Sequence, residues 1–155
     1  FAESANGDSP ASDIATGSTL AAPPAAPSGF TATTASSTQI DLAWTDASTD
    51  ETGFQIQWSL NGTDGWTDEV TTIPDEVSHS DTGLTPSTIY YYRIRALGAG
   101  DPSAWVGPVN ATTAPTAPTN LVATGVSSAQ IDLTWTDNSD PPIQQLESDK
   151  LWHRP

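Results

Sequence analysis

The chain has 155 residues, enough for one domain, and its 4 Lys+Arg against 19 Asp+Glu give a formal charge of −15. That balance excludes nucleic acid and anionic membrane surfaces as partners, because phosphate neutralisation needs clustered cations and only Arg93, Arg95, Lys150 and Arg154 are present. The absence of Cys and Met excludes thiol catalysis, zinc–thiolate sites and disulfide staples.

No stretch approaches the ~20 apolar residues that span a bilayer, so no membrane insertion is expected. The chain starts at Phe1 and reads as a processed product or a window on something longer. Recurrent Pro and Gly, abundant Ser and Thr and few runs of helix formers favour short strands and turns. The organising feature is a repeat: residues 26–48 match residues 117–139 at an offset of 91, with 14 of 23 positions identical and no gaps.

In chain order, residues 1–26 resemble the end of a repeat. Asn6-Gly7-Asp8 and the stretch to Pro27 parallel Ala99-Gly100-Asp101 and the stretch to Pro118, so strand G and a linker of a preceding module are expected there. Residues 27–117 form one whole repeat with alternating apolar positions, the period of half-buried strands. Phe30 and Ala32 open strand A, and Ile40, Leu42 and Trp44 share one face of strand B. Phe54, Ile56 and Trp58 continue the pattern in strand C with Gln55 and Gln57 turned outward, and Asn61-Gly62 reads as a hairpin turn. Trp66 and Val70 mark the next strand, residues 77–80 another, and Tyr90, Tyr92, Ile94 and Ala96 the longest inward row. Val106 and Val109 belong to a last strand, which Gly107-Pro108 marks as an edge or bulge. Residues 118–140 repeat strands A and B, whereas Pro141-Pro142-Ile143 replaces the expected strand C and residues 141–155 read as an atypical tail.

Seven short strands separated by turn signals predict an all-β, two-sheet sandwich. Leu84-Thr85-Pro86-Ser87-Thr88-Ile89-Tyr90-Tyr91-Tyr92-Arg93-Ile94-Arg95-Ala96, together with Trp44, the Ala-Pro start and the 91-residue period, resembles the fibronectin type III domain family, in a bacterial-type secreted or surface repeat protein. The resemblance implies an immunoglobulin-like seven-stranded sandwich with Trp44, Leu84, Tyr90, Tyr92 and Ile94 in its core. It further implies that Tyr90 is a tyrosine-corner residue bonding backbone near Leu84, and that Trp44 packs against Tyr92. The F–G region, Leu97 to Ser103, holds no Arg-Gly-Asp, so integrin-type adhesion is not expected.

Chemical sites are few. His79 and His153 lie in different segments with no nucleophile motif, so no catalytic residue and no enzyme activity is assigned. Asp46, Asp50 and Glu51, or Asp64, Asp68 and Glu69, could offer oxygens to Ca²⁺. Neither set has the spacing of a known calcium loop, and solvated charge is the default reading, so no metal and no cofactor is assigned. Asn61 and Asn110 satisfy the N-glycosylation pattern, although Asn-Gly also suits a turn and Thr a strand. Trp105 is the best candidate for contact with a glycan, since Trp58 continues the inward face of strand C and the resemblance implies a packed aromatic at Trp66.

The Pro-rich linkers at residues 21–27 and 113–118 read as semi-rigid spacers between modules, and the negative charge suits an extended extracellular chain. The expected function is therefore an extracellular structural module of a tandem stalk or fibre, its partners neighbouring copies or modules. The incomplete flanks also admit a filament assembled head to tail by strand complementation. The alternative is a spacer, or an accessory carbohydrate-binding or adhesion module, of a larger secreted enzyme or surface protein.

Overall fold

The computed structural model describes residues 21–139, so the expected strand G before residue 20 and the tail after residue 140, with His153, lie outside the described residues. Seven antiparallel strands follow one another as β1 (Ser28–Thr34), β2 (Gln39–Thr45), β3 (Gly53–Ser59), β4 (Thr67–Thr71), β5 (Ser78–Thr82), β6 (Ile89–Leu97) and β7 (Val106–Thr112). They form two sheets, β1-β2-β5 and β4-β3-β6-β7, the layers of a β-sandwich.

Alternation explains the core. Phe30 comes from β1, Ile40, Leu42 and Trp44 from β2, Phe54 and Ile56 from β3, and Tyr90, Tyr92, Ile94 and Ala96 from β6, with Leu84 from the preceding loop. Trp44 packs edge-on against Phe30 and Phe54, at centroid distances of 6.4 and 5.5 Å. Tyr92 is fully buried in the same core, and its hydroxyl donates to Asp81 Oδ2 at 2.8 Å. Burial, then the Tyr92 hydrogen bond working against it, leaves the Asp81 carboxyl raised, while burial pushes the Tyr92 phenol up. The Thr85 N–H donates to Tyr90 Oη at 3.1 Å, which ties the loop before β6 to the strand beneath it.

Two local details depart from the pattern. Asn61-Gly62 does not form a two-residue hairpin turn: of the pair only Gly62 has positive φ, and the connection runs from residue 60 to 66. Asn61 Oδ1 accepts from the N–H groups of Thr63 and Asp64, and this side-chain bonding replaces the backbone geometry of a tight turn. At the other edge β7 lies outermost, and its register with β6 slips between Tyr92 and Ile94, opposite Gly107-Pro108.

Beyond β7, β8 (Thr119–Ser127) and β9 (Gln130–Thr136) make a separate two-stranded sheet. Its register repeats every pair of β1–β2, with Thr119↔Thr136, Val122↔Thr134 and Ala123↔Leu133 matching Ser28↔Thr45, Thr31↔Ala43 and Ala32↔Leu42, and adds Ser127↔Gln130 after a second shift. Both hairpins slip at the same place, where Gly29 and Asn120 hold positive φ, the conformation that Gly and Asn adopt most readily.

Candidate functional site

The richest side-chain constellation lies on the outer face of the four-stranded sheet. Pairing of β3 with β6 sets Gln57 opposite Arg93 and Gln55 opposite Arg95. Arg93 Nε and Nη2 donate to Gln57 Oε1 at 2.9 and 2.6 Å, and Arg95 Nε donates to Gln55 Oε1 at 2.9 Å. The two glutamine amides in turn donate to Asp68 Oδ1 on β4, each at 2.8 Å. Charge is thereby relayed from guanidinium to carboxylate through neutral amides rather than by direct ion pairs.

Two tryptophans complete the array. The Arg93 guanidinium lies 4.3 Å from the ring centroid of Trp66 and 4.3 Å from that of Trp105, while Arg95 lies 4.4 Å from Trp105. Burial, and secondarily the neighbouring Arg95 charge, lowers the Arg93 pKa. Each cation–π contact contributes ~0.5–1 kcal/mol where exposed and more where desolvated. Trp105 thus already holds two guanidiniums against its ring, and a sugar stacking there would have to displace one. Trp66 stands on this outer face with its Nε1–H donating to Thr63 O at 3.3 Å, whereas Trp58 faces the core and meets Tyr90 edge-on at 5.6 Å.

The acidic sets separate clearly. Asp64 binds Asn61, Asp68 the glutamines, and Glu69 lies 3.3 Å from His79 Nε2, so these three acids are not brought to one point. By contrast Asp46 and Glu51, in the β2–β3 loop, meet Asp75 from the β4–β5 loop, with one carboxylate oxygen of each lying within 4.8 Å of the others. Asp50 turns instead to the Ser48 hydroxyl, which donates to it at 2.7 Å. Of the two glycosylation patterns, Asn61 commits its amide to Asp64, while Asn110 is exposed on edge strand β7. Sequence reasoning missed the arginine–tryptophan stack and Asp75. The first had a partial signal, Arg93 and Arg95 alternating on one strand as Gln55 and Gln57 do on another; the second had none.

Comparison with known proteins agrees with this architecture. The Fibronectin type III domain family matches residues 25–109. Endoglucanase B of Cellulomonas fimi is 37% identical over 120 residues, covering 70% of this chain and 11% of that protein. Chitinase A1 of Niallia circulans is 32% identical over 145 residues, covering 83% of this chain and 20% of that protein. The chain therefore spans a small part of the length of these relatives. Among solved structures, an Fn3-like protein from Clostridium thermocellum superposes with a TM-score of 0.52 at 23% identity, over 62% of this chain and 99% of that one, a likeness of fold. The chain belongs to the fibronectin type III domain family.

Proposed function

We propose that this chain is a spacer segment of a larger secreted protein, in which sandwich modules follow one another in tandem. The observation that carries the reading is the hairpin β8–β9, which repeats β1–β2 in sequence and in register 91 residues later. It is the opening of a second module, with residues 27–117 the first and residues 1–26 the end of one before. Two of its relatives by sequence are an endoglucanase and a chitinase, each far longer than the region they share with this chain, which favours an extracellular accessory segment beside other domains. Linker proline rings support a held rather than a loose junction, since Pro24 and Pro27 are buried and a side chain at Gly98 would meet the Pro24 ring at 3.0 Å.

A second reading rests on the exposed apolar residues of β8–β9, among them Leu121, Ile131, Leu133 and Trp135. A neighbouring copy could supply the covering sheet and build a filament by strand complementation. Sedimentation velocity over a hundredfold concentration range separates the two. The spacer reading expects an elongated monomer whose sedimentation coefficient is unchanged with concentration; growing polymers visible by electron microscopy would replace it with the filament.

A further inference from the structure

We propose that the Asp46, Glu51 and Asp75 carboxylates form a Ca²⁺ site joining the β2–β3 and β4–β5 loops. The three oxygens lie within 4.8 Å of one another, which sets them no more than ~2.8 Å from a common centre, so loop side chains need close by only a few tenths of an ångström to reach the ~2.3–2.6 Å of Ca²⁺–oxygen bonds. Proximity of acids alone says little, but Glu51 adds a second observation. It is 8% exposed; its Oε1 accepts from the Asp75 N–H at 3.3 Å, and its Oε2 is buried with no hydrogen-bond partner among the described residues. A buried carboxylate oxygen without a donor is unfavourable unless a cation or proton meets it.

Among the described residues no cationic side chain does so. Arg93 and Arg95 are committed to glutamines and tryptophans on the outer face of the other sheet, and His79 faces Glu69. The donor set is all oxygen, with neither imidazole nor thiolate, which selects a hard cation over zinc or copper. Ligands carried on two loops, one buried, one half-buried and one exposed, suit the adaptable coordination of Ca²⁺ better than the strict octahedron of Mg²⁺.

The position gives the ion a consequence. The Asp50 carbonyl, next to Glu51, lies 3.8 Å from the point a side chain at Gly98 would occupy, and the Pro24 ring borders the same point. Ca²⁺ therefore steadies the loop beside which the incoming linker packs. The site stands on these side chains alone and does not depend on the spacer reading.

The test is calorimetric titration of CaCl₂ into the chelator-treated full chain at fixed ionic strength, with thermal unfolding in parallel. One saturable site is expected with Kd of ~10⁻⁴–10⁻³ M, the range of extracellular modules, and the unfolding temperature rises with added Ca²⁺. Asp75→Asn weakens binding at least tenfold, Glu51→Gln abolishes it, and Asp68→Asn leaves it unchanged. Asp75 has φ +63°, which Asn accepts readily, so this variant keeps the loop and carries the test even where Glu51→Gln unfolds. Absence of saturable heat up to ~10 mM, a response to Mg²⁺ equal to that for Ca²⁺, or an equal loss with Asp68→Asn would overturn the site.

Discussion

The hairpins β1–β2 and β8–β9 share a sequence, a register and a bulge, yet they live in different surroundings. Ile40, Leu42 and Trp44 are 0, 1 and 5% exposed, while their counterparts Ile131, Leu133 and Trp135 are 68, 55 and 46% exposed. The difference separates two layers of cause. Strand pairing and the positive-φ bulge at Gly29 and Asn120 follow from local residues and recur wherever those residues do. Burial does not recur, because it needs a facing sheet that β3, β6 and β7 supply to the first hairpin. A two-stranded hairpin with an open apolar face gains little stability of its own.

The sharpest way to break the comparison is one truncation made twice. Leu42→Ala should cost ~2–5 kcal/mol in urea unfolding, whereas Leu133→Ala should change the same transition by less than ~0.5 kcal/mol. Equal effects would mean that the second hairpin shares the first one's core. Next in size is Tyr92→Phe, which leaves the buried Asp81 carboxylate without its hydroxyl donor and should cost ~1–3 kcal/mol at neutral pH.

Asp81, which β5 sets opposite Ile40 of β2, adds a pH dependence to the surroundings of the first hairpin. Burial raises its carboxyl in the folded state, so its contribution to stability is fully present below the ordinary carboxylate value and is lost as pH rises through the raised one. Wild type should therefore gain stability relative to Asp81→Asn as pH is lowered from 7 to about 4. Parallel pH profiles of the two in urea unfolding would contradict this. The smallest effect is expected for Arg93→Ala, which opens the stack between Trp66 and Trp105 and should cost ~0.5–2 kcal/mol, with a change in tryptophan fluorescence.

Much of this architecture was legible in the residues. Alternation at Ile40-Leu42-Trp44 and Tyr90-Tyr92-Ile94 marks inward faces directly, because a strand has a period of two. Alternation says only that the remaining positions turn outward, and there the structure adds most. Gln55, Gln57, Arg93 and Arg95 are polar at outward positions, and only the β3–β6 register brings them opposite one another. Trp66 is expected in the core because the resembled family packs an aromatic there, but it precedes β4 on a connection whose course is set by Asn61 bonding, and it turns outward onto Arg93. Asp75 lies 24 positions from Glu51 and joins it only through the pairing of strands around it, so no local spacing announces the carboxylate cluster.

The central claim is that β8–β9 is a hairpin waiting for its sheet. The direct measurement is hydrogen exchange of residues 119–136, first in the chain as it stands at low concentration and then in a chain carrying a copy of residues 49–117 after Ser139. The account predicts fast exchange in the first and protection approaching that of β1–β2 in the second. Protection already present in the dilute unextended chain, or none gained on extension, would contradict it.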